Sequence, residues 1–162
     1  MNRTSIAWRS TSEEETLRLG RVLGSCLIPG MTVLLSGDLG TGKTVFVRGV
    51  GQELGVMRVR SPSFTLVNEY RTKNFSLVHV DLYRLDSESV DDLEIQDYID
   101  LDSVLFVEWP ERWKTPPESS VLKIKIEAED ETTRTFTVVS CGAEADLVLD
   151  AWHAKWKANE GR

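Results

Sequence analysis

The stretch MTVLLSGDLGTGKTVFVRGVGQELG, residues 31–55, limits what this chain can fold into more than any other. It runs from a short apolar segment through a glycine-rich turn into residues at helical spacing. Within it Gly37 to Thr44, GDLGTGKT, match G-x-x-x-x-G-K-[ST] at every fixed position. This is the P-loop pattern, and its strand-before, helix-after context is the one it requires. Backbone N–H groups of Asp38, Leu39, Gly40, Thr41 and Gly42 are placed to surround phosphate, and the helix N-terminus adds positive dipole. Lys43 then reaches phosphate oxygens, and the Thr44 hydroxyl is a ligand for Mg2+.

The rest of the chain supplies elements to pair with that unit. Residues 5–9 predict a short strand. STSEEETLRLGRVLGSCLIPG predicts a helix stopped by Pro29-Gly30. Ser12 and Glu15 fit a capping box, three glutamates sit in the first turn, and Leu19, Val22, Leu23, Cys26 and Leu27 face the core. FTLVNEY and SLVHVDLY read as two strands joined by RTKN, and SVLFVE as a buried strand. Residues 87–98 are acidic and partly helical. Residues 121–140 form a second hairpin, with Leu122, Ile124 and Ile126 alternating against Lys123 and Lys125. Ala145, Val148, Leu149, Trp152 and Trp156 make the apolar stripe of a last helix, with both tryptophans placed in the core. The expectation is one three-layer α/β domain of P-loop NTPase type over residues 1–162, with a mixed parallel and antiparallel sheet.

Composition narrows the function. The 162 residues carry a formal net charge of −7, which disfavours broad nucleic-acid binding. Cys26 and Cys141 are far apart in sequence and read as reduced, buried thiols. The first ten residues lack an apolar leader core, and no segment reaches a transmembrane length. The expected location is the cytoplasm.

A P-loop implies a nucleotide rather than a reaction. No N-K-x-D guanine motif is present, DLYR lacks the glycine of D-x-x-G, and no ABC-type signature occurs. ATP is therefore expected. The metal also needs an acid at the end of a neighbouring strand. Asp81, in LVHVDLYRL, and Glu108, in VLFVEWPERW, both end apolar runs, and strand logic does not choose between them. His79 shares a strand face with Asp81, either pairing with it or packing as a neutral side chain.

GDLGTGKT, SPSFTLVNEY, HVDLYRL and VEWPER, in this order, resemble the TsaE family over about residues 12–140. That is the small ATPase family of bacterial tRNA threonylcarbamoyladenosine synthesis. The resemblance implies ATP and Mg2+ binding, slow ATP hydrolysis alone, and work with a TsaB–TsaD heterodimer. tRNA is reached indirectly through that complex, without a membrane, and the ATPase cycle supports repeated turnover. It makes Glu108 the partner of Thr44 on Mg2+. Asp81 is left to orient water or to hold a switch-like segment, Ser61 to Leu66. Ser63 stands where the family usually has threonine, with Thr65 as the neighbouring candidate hydroxyl. Thr41 stands where alanine is common. Trp109 and Arg112 are implied near the nucleotide, Arg134 near base or phosphates, and Thr11 or Ser12 near adenine.

Two other functions fit the residues. One is a P-loop kinase for a small acceptor, although the length leaves little room for an acceptor site and a lid. The other is a nucleotide-gated interaction module without useful turnover. Arg58, Arg60, Arg71 and Lys73 flank the switch segment and offer a basic approach for tRNA or TsaD, while the acidic run 86–102 reads as a solvated face.

Overall fold

A computed structural model describes residues 4–160. Its centre is a seven-stranded sheet in the order β1-β7-β6-β2-β5-β4-β3. The strands are β1 Thr4–Ser10, β2 Thr32–Ser36, β3 Val67–Arg71, β4 Ser76–Asp81, β5 Ser103–Glu108, β6 Val121–Ala128 and β7 Arg134–Cys141. β6, β2, β5 and β4 run parallel; β7 and β3 run against them, and β1 pairs antiparallel with β7 at the outer edge. The mixed sheet expected from the sequence is present.

Four helices cover the sheet: α1 Glu13–Gly24, α2 Lys43–Glu53, α3 Ser87–Asp92 and α4 Ala143–Glu160. Alternation along the central strands divides the core. Val33, Leu35, Leu77, Val104 and Phe106 pack with α1, α2 and α4, while Leu34, Val78, Val80, Leu105 and Val107 pack with Val90 of α3 and Ile95. The α4 stripe is buried at all five expected positions, and the Trp152 indole N–H donates to the Leu19 carbonyl of α1 at 3.1 Å. No described helix is long and apolar enough to cross a membrane.

Local chemistry sets the ends of α1. The Glu15 N–H donates to Ser12 Oγ at 3.0 Å, and the Glu15 carboxylate reaches back to the Thr11 N–H at 2.8 Å and to the Thr11 hydroxyl at 3.0 Å. The capping box is present, displaced by one residue on its return arm. α1 stops at Gly24 instead of continuing to Pro29. There the Ser25 hydroxyl donates to the Val22 carbonyl at 2.7 Å, competing with the helical pattern. Cys26 is only half-buried, and both cysteines are free.

α1 and α2 meet at backbone distance. A Cβ on Gly49 would lie 2.2 Å from the Leu17 carbonyl oxygen, and one on Gly20 would lie 2.3 Å from that of Phe46. This contact fixes the start of α1 against the start of α2.

The strand expected from Phe64 begins only at Val67. The Leu66 N–H donates to the Pro62 carbonyl at 2.7 Å, and Leu66 has φ 69°, so the chain turns before it can pair. Phe64 is left 82% exposed. β4 likewise ends at Asp81 rather than at Tyr83.

Candidate functional site at the carboxyl end of the central strands

β2, β4 and β5 finish at one edge of the sheet, where Ser36, Asp81 and Glu108 are their last residues. Asp81 and Glu108 are register partners on parallel strands, so the same pleat presents both side chains to one face. Two residues back on β4, His79 shares that face.

The glycine-rich loop leaves β2 and enters α2 beside these acids. Gly42, at the N-cap, has φ 98°, which admits glycine at little cost. The first N–H groups of α2 have no intrahelical acceptor, and the first helical bond runs from the Phe46 N–H to the Gly42 carbonyl at 2.9 Å. An anion at this end meets both free donors and the helix dipole.

Lys43 is 5% exposed. Its ammonium donates to the Gly37 carbonyl and, at 3.2 Å, to the Asp38 carbonyl, and it lies 4.5 Å from the centre of the Trp109 ring. Burial lowers its pKa below the ordinary lysine value, while Glu108, then Asp81, act in the opposite direction. Trp109 holds φ 58°, a left-handed conformation that turns the chain immediately after β5.

The Ser61–Leu66 segment is fastened to Asp81. Asp81 Oδ2 accepts from the Ser63 hydroxyl at 3.3 Å, Oδ1 accepts from the Tyr83 N–H at 2.9 Å, and the Asp81 N–H donates to the Leu66 carbonyl at 3.0 Å. Ser61 and Ser63 share a hydroxyl–hydroxyl bond at 2.7 Å. Glu108 takes a different partner: its Oε2 lies 2.6 Å from His79 Nε2. The pairing of His79 with Asp81 considered from sequence is thus replaced by one with Glu108, across the strand pair.

A cleft of about 290 Å³ gathers Leu39 to Val45, Ser61, Ser63, Asp81, Glu108 and Trp109. On the other side of the loop, a cavity of about 280 Å³ is lined by Ser12, Thr16, Gly40 to Gly42, Glu131, Thr132 and Arg134. Arg134 braces the loop: its Nε donates to the Thr41 carbonyl at 3.1 Å and its Nη2 to the Gly40 carbonyl at 3.4 Å.

Three expected residues stand elsewhere. The Thr65 hydroxyl is exposed and donates to Asn68 Oδ1 at 2.6 Å. Arg112 Nη1 donates to the Leu85 carbonyl at 2.7 Å, and the side chain does not line the cleft. Asp38 is exposed and lines a separate groove with Lys125 and Glu127. Sequence reasoning missed Thr16, Thr132 and the His79–Glu108 pair. Thr16 was legible as the residue one turn after Ser12; the other two depend on tertiary register.

Among the described residues no three His, Cys, Asp or Glu side chains form a self-sufficient metal cluster. The cleft instead offers two neighbouring carboxylates and the Thr44 hydroxyl. That donor set is incomplete for a permanently held cation and fits Mg2+ completed by phosphate oxygens and water.

The fold and this edge define an α/β domain of P-loop type, with two acids facing a glycine-rich loop. The profile of the threonylcarbamoyl adenosine biosynthesis protein TsaE matches residues 10–136. Curated relatives named tRNA threonylcarbamoyladenosine biosynthesis protein TsaE agree. The one from Bacillus subtilis is 37% identical over 83% of this chain and 86% of its own. The one from Aquifex aeolicus is 42% identical over 71% and 83%. A crystal structure of Bacillus subtilis YdiB superposes with a TM-score of 0.79 at 28% identity, covering 96% of this chain and 98% of that one. The chain belongs to the TsaE family.

Proposed function

We propose that this chain is the ATP-binding and ATP-hydrolysing member of the tRNA threonylcarbamoyladenosine machinery, acting in the cytoplasm with a TsaB–TsaD heterodimer. The observation that carries the reading is the meeting of Lys43, Thr44, Asp81 and Glu108 in one cleft at the N-terminus of α2. The triphosphate lies along Gly37 to Thr44, against the free N–H groups of α2. Lys43 exchanges its bonds to the Gly37 and Asp38 carbonyls for phosphate oxygens. The base and ribose occupy the cavity bounded by Ser12, Thr16 and Arg134.

Thr44 and Glu108 hold Mg2+, which when bound offsets phosphate charge. Asp81 accepts a hydrogen bond from the attacking water or from Ser63, so the switch segment and the water compete for one carboxylate. Lys43 is the only Lys or Arg side chain lining the cleft among the described residues. Hydrolysis by the isolated chain is therefore slow, and partner docking supplies what the cleft lacks. Repeated tRNA modification is the output.

The test is a multiple-turnover modification assay with TsaB and TsaD. Lys43→Ala and Asp81→Asn are expected to stop repeated cycles, and unchanged turnover in both removes the mechanism. The exposed Phe64 beside Ser63 favours a second reading, a nucleotide-gated interaction module. A variant that binds ATP without hydrolysing it and still sustains repeated modification would select that reading. ATP-dependent phosphate release without any acceptor argues against a kinase.

A further inference from the structure

We propose that His79 is a positioning residue that biases Glu108 toward one metal-facing oxygen and thereby sets the cation preference of the site. The inference rests on the proposed role of Glu108 as a Mg2+ ligand. His79 is completely buried and Glu108 nearly so. His79 Nε2 lies 2.6 Å from Glu108 Oε2, and His79 Nδ1 is buried with no partner. A proton on Nδ1 would be a buried donor without an acceptor and would leave Nε2 facing a carboxylate lone pair; both are costly. The geometry therefore fixes the tautomer with the proton on Nε2, donated to Oε2. Packing on the α2 side of the sheet, with Leu77 and Phe106 as neighbours on the same pleat, holds the ring in place.

One Glu108 oxygen is consequently occupied from within the protein. Oε2 spends one lone pair on the His79 N–H and is held toward the ring, whereas Oε1 keeps both, so the pairing biases Glu108 toward one-oxygen ligation through Oε1. Mg2+ accepts single oxygens in a tight octahedron, whereas Ca2+ is larger, takes more ligands and readily accepts both oxygens of one carboxylate. His79 thus selects against Ca2+ without touching a cation.

The test measures binding of a non-hydrolysable ATP analogue as a function of Mg2+ and of Ca2+, by calorimetry. His79→Leu removes the donor, and His79→Asn is too short to reach Glu108. Either is expected to weaken the Mg2+ dependence by about tenfold or more and to shift preference toward Ca2+. His79→Gln places an N–H near the same position and restores the wild-type preference. An unchanged Mg2+-to-Ca2+ ratio in folded His79→Leu or His79→Asn overturns the inference. Nitrogen-15 chemical shifts of the wild-type ring give an answer that needs no variant: the Nε2–H tautomer is expected, and the Nδ1–H tautomer overturns it. Wild-type protein that binds the analogue equally well without either cation removes the reading of Glu108, and the inference with it.

Discussion

The Lys43 ammonium donates to the carbonyl of Gly37, six residues earlier in its own loop. It is buried beside Trp109, and burial lowers its pKa. The folded protein therefore binds this proton less readily than the unfolded chain, whose lysine titrates near 10.5. The resulting cost is fully present below the lowered folded pKa and fades as pH rises from there toward 10.5. Wild-type stability in urea should rise through that alkaline window. Lys43→Met should remove this dependence and leave the nucleotide-free protein no less stable at neutral pH.

Nucleotide should reverse the ranking. At 100 times its Kd, ATP with Mg2+ adds about 2.7 kcal/mol, an increase in Tm of about 5–10 °C for a chain of this size. Lys43→Met should show no such increase in differential scanning fluorimetry. EDTA should abolish most of it in wild type.

The bond from Ser63 to Asp81 gives the switch segment a measurable anchor. Ser63→Ala removes it while leaving the Tyr83 N–H on the other carboxylate oxygen. For a partly exposed bond to a charged group, a loss of about 1 kcal/mol is expected. Amide hydrogen exchange over residues 61–66 should accelerate about fivefold, with exchange in β2 unchanged. Asp81→Asn should add a fall in ATP turnover of about a hundredfold, seen as phosphate release.

Gly49 lies 2.2 Å, at its would-be Cβ, from the Leu17 carbonyl oxygen. Gly49→Ala must separate α1 from α2, at a cost of about 1–3 kcal/mol. A Tm lowered by about 2–12 °C is expected. Because Ser12 and Thr16 ride on α1, nucleotide affinity should fall as well, by calorimetry, although neither loop nor acids are altered.

Arg134 donates to the Thr41 and Gly40 carbonyls from β7. Arg134→Lys keeps the charge and loses the fork. Nucleotide affinity should weaken about tenfold, the equivalent of about 1.4 kcal/mol, while the rate at saturating ATP stays near wild type. Steady-state phosphate release separates the two.

What could be read from sequence divides by range. The loop from Gly37 to Thr44, the Ser12 cap, the α4 stripe and the alternation of β6 are local patterns, and the structure has each of them. Phe64 to Leu66 carried strand-like residues, yet the positive φ of Leu66 is a tertiary outcome of closing a turn onto Asp81. Arg112 and Arg134 looked alike as arginines near functional segments. Only the folded chain sends one to Leu85 and the other to the loop. The partner of His79 depended on how two strands far apart in sequence align, and no spacing within either strand encodes that.

The order of the sheet also bears on how the protein is made. Ser36, Asp81 and Glu108 come from three segments that become neighbours only when β2, β5 and β4 have paired side by side. Such distant parallel pairing is slow, because loop closure must precede any reward from contact. A nascent or half-assembled chain thus lacks the two carboxylates that complete the cleft. ATP should leave the refolding rate untouched and lengthen the lifetime of molecules already folded, acting as a clasp rather than a template.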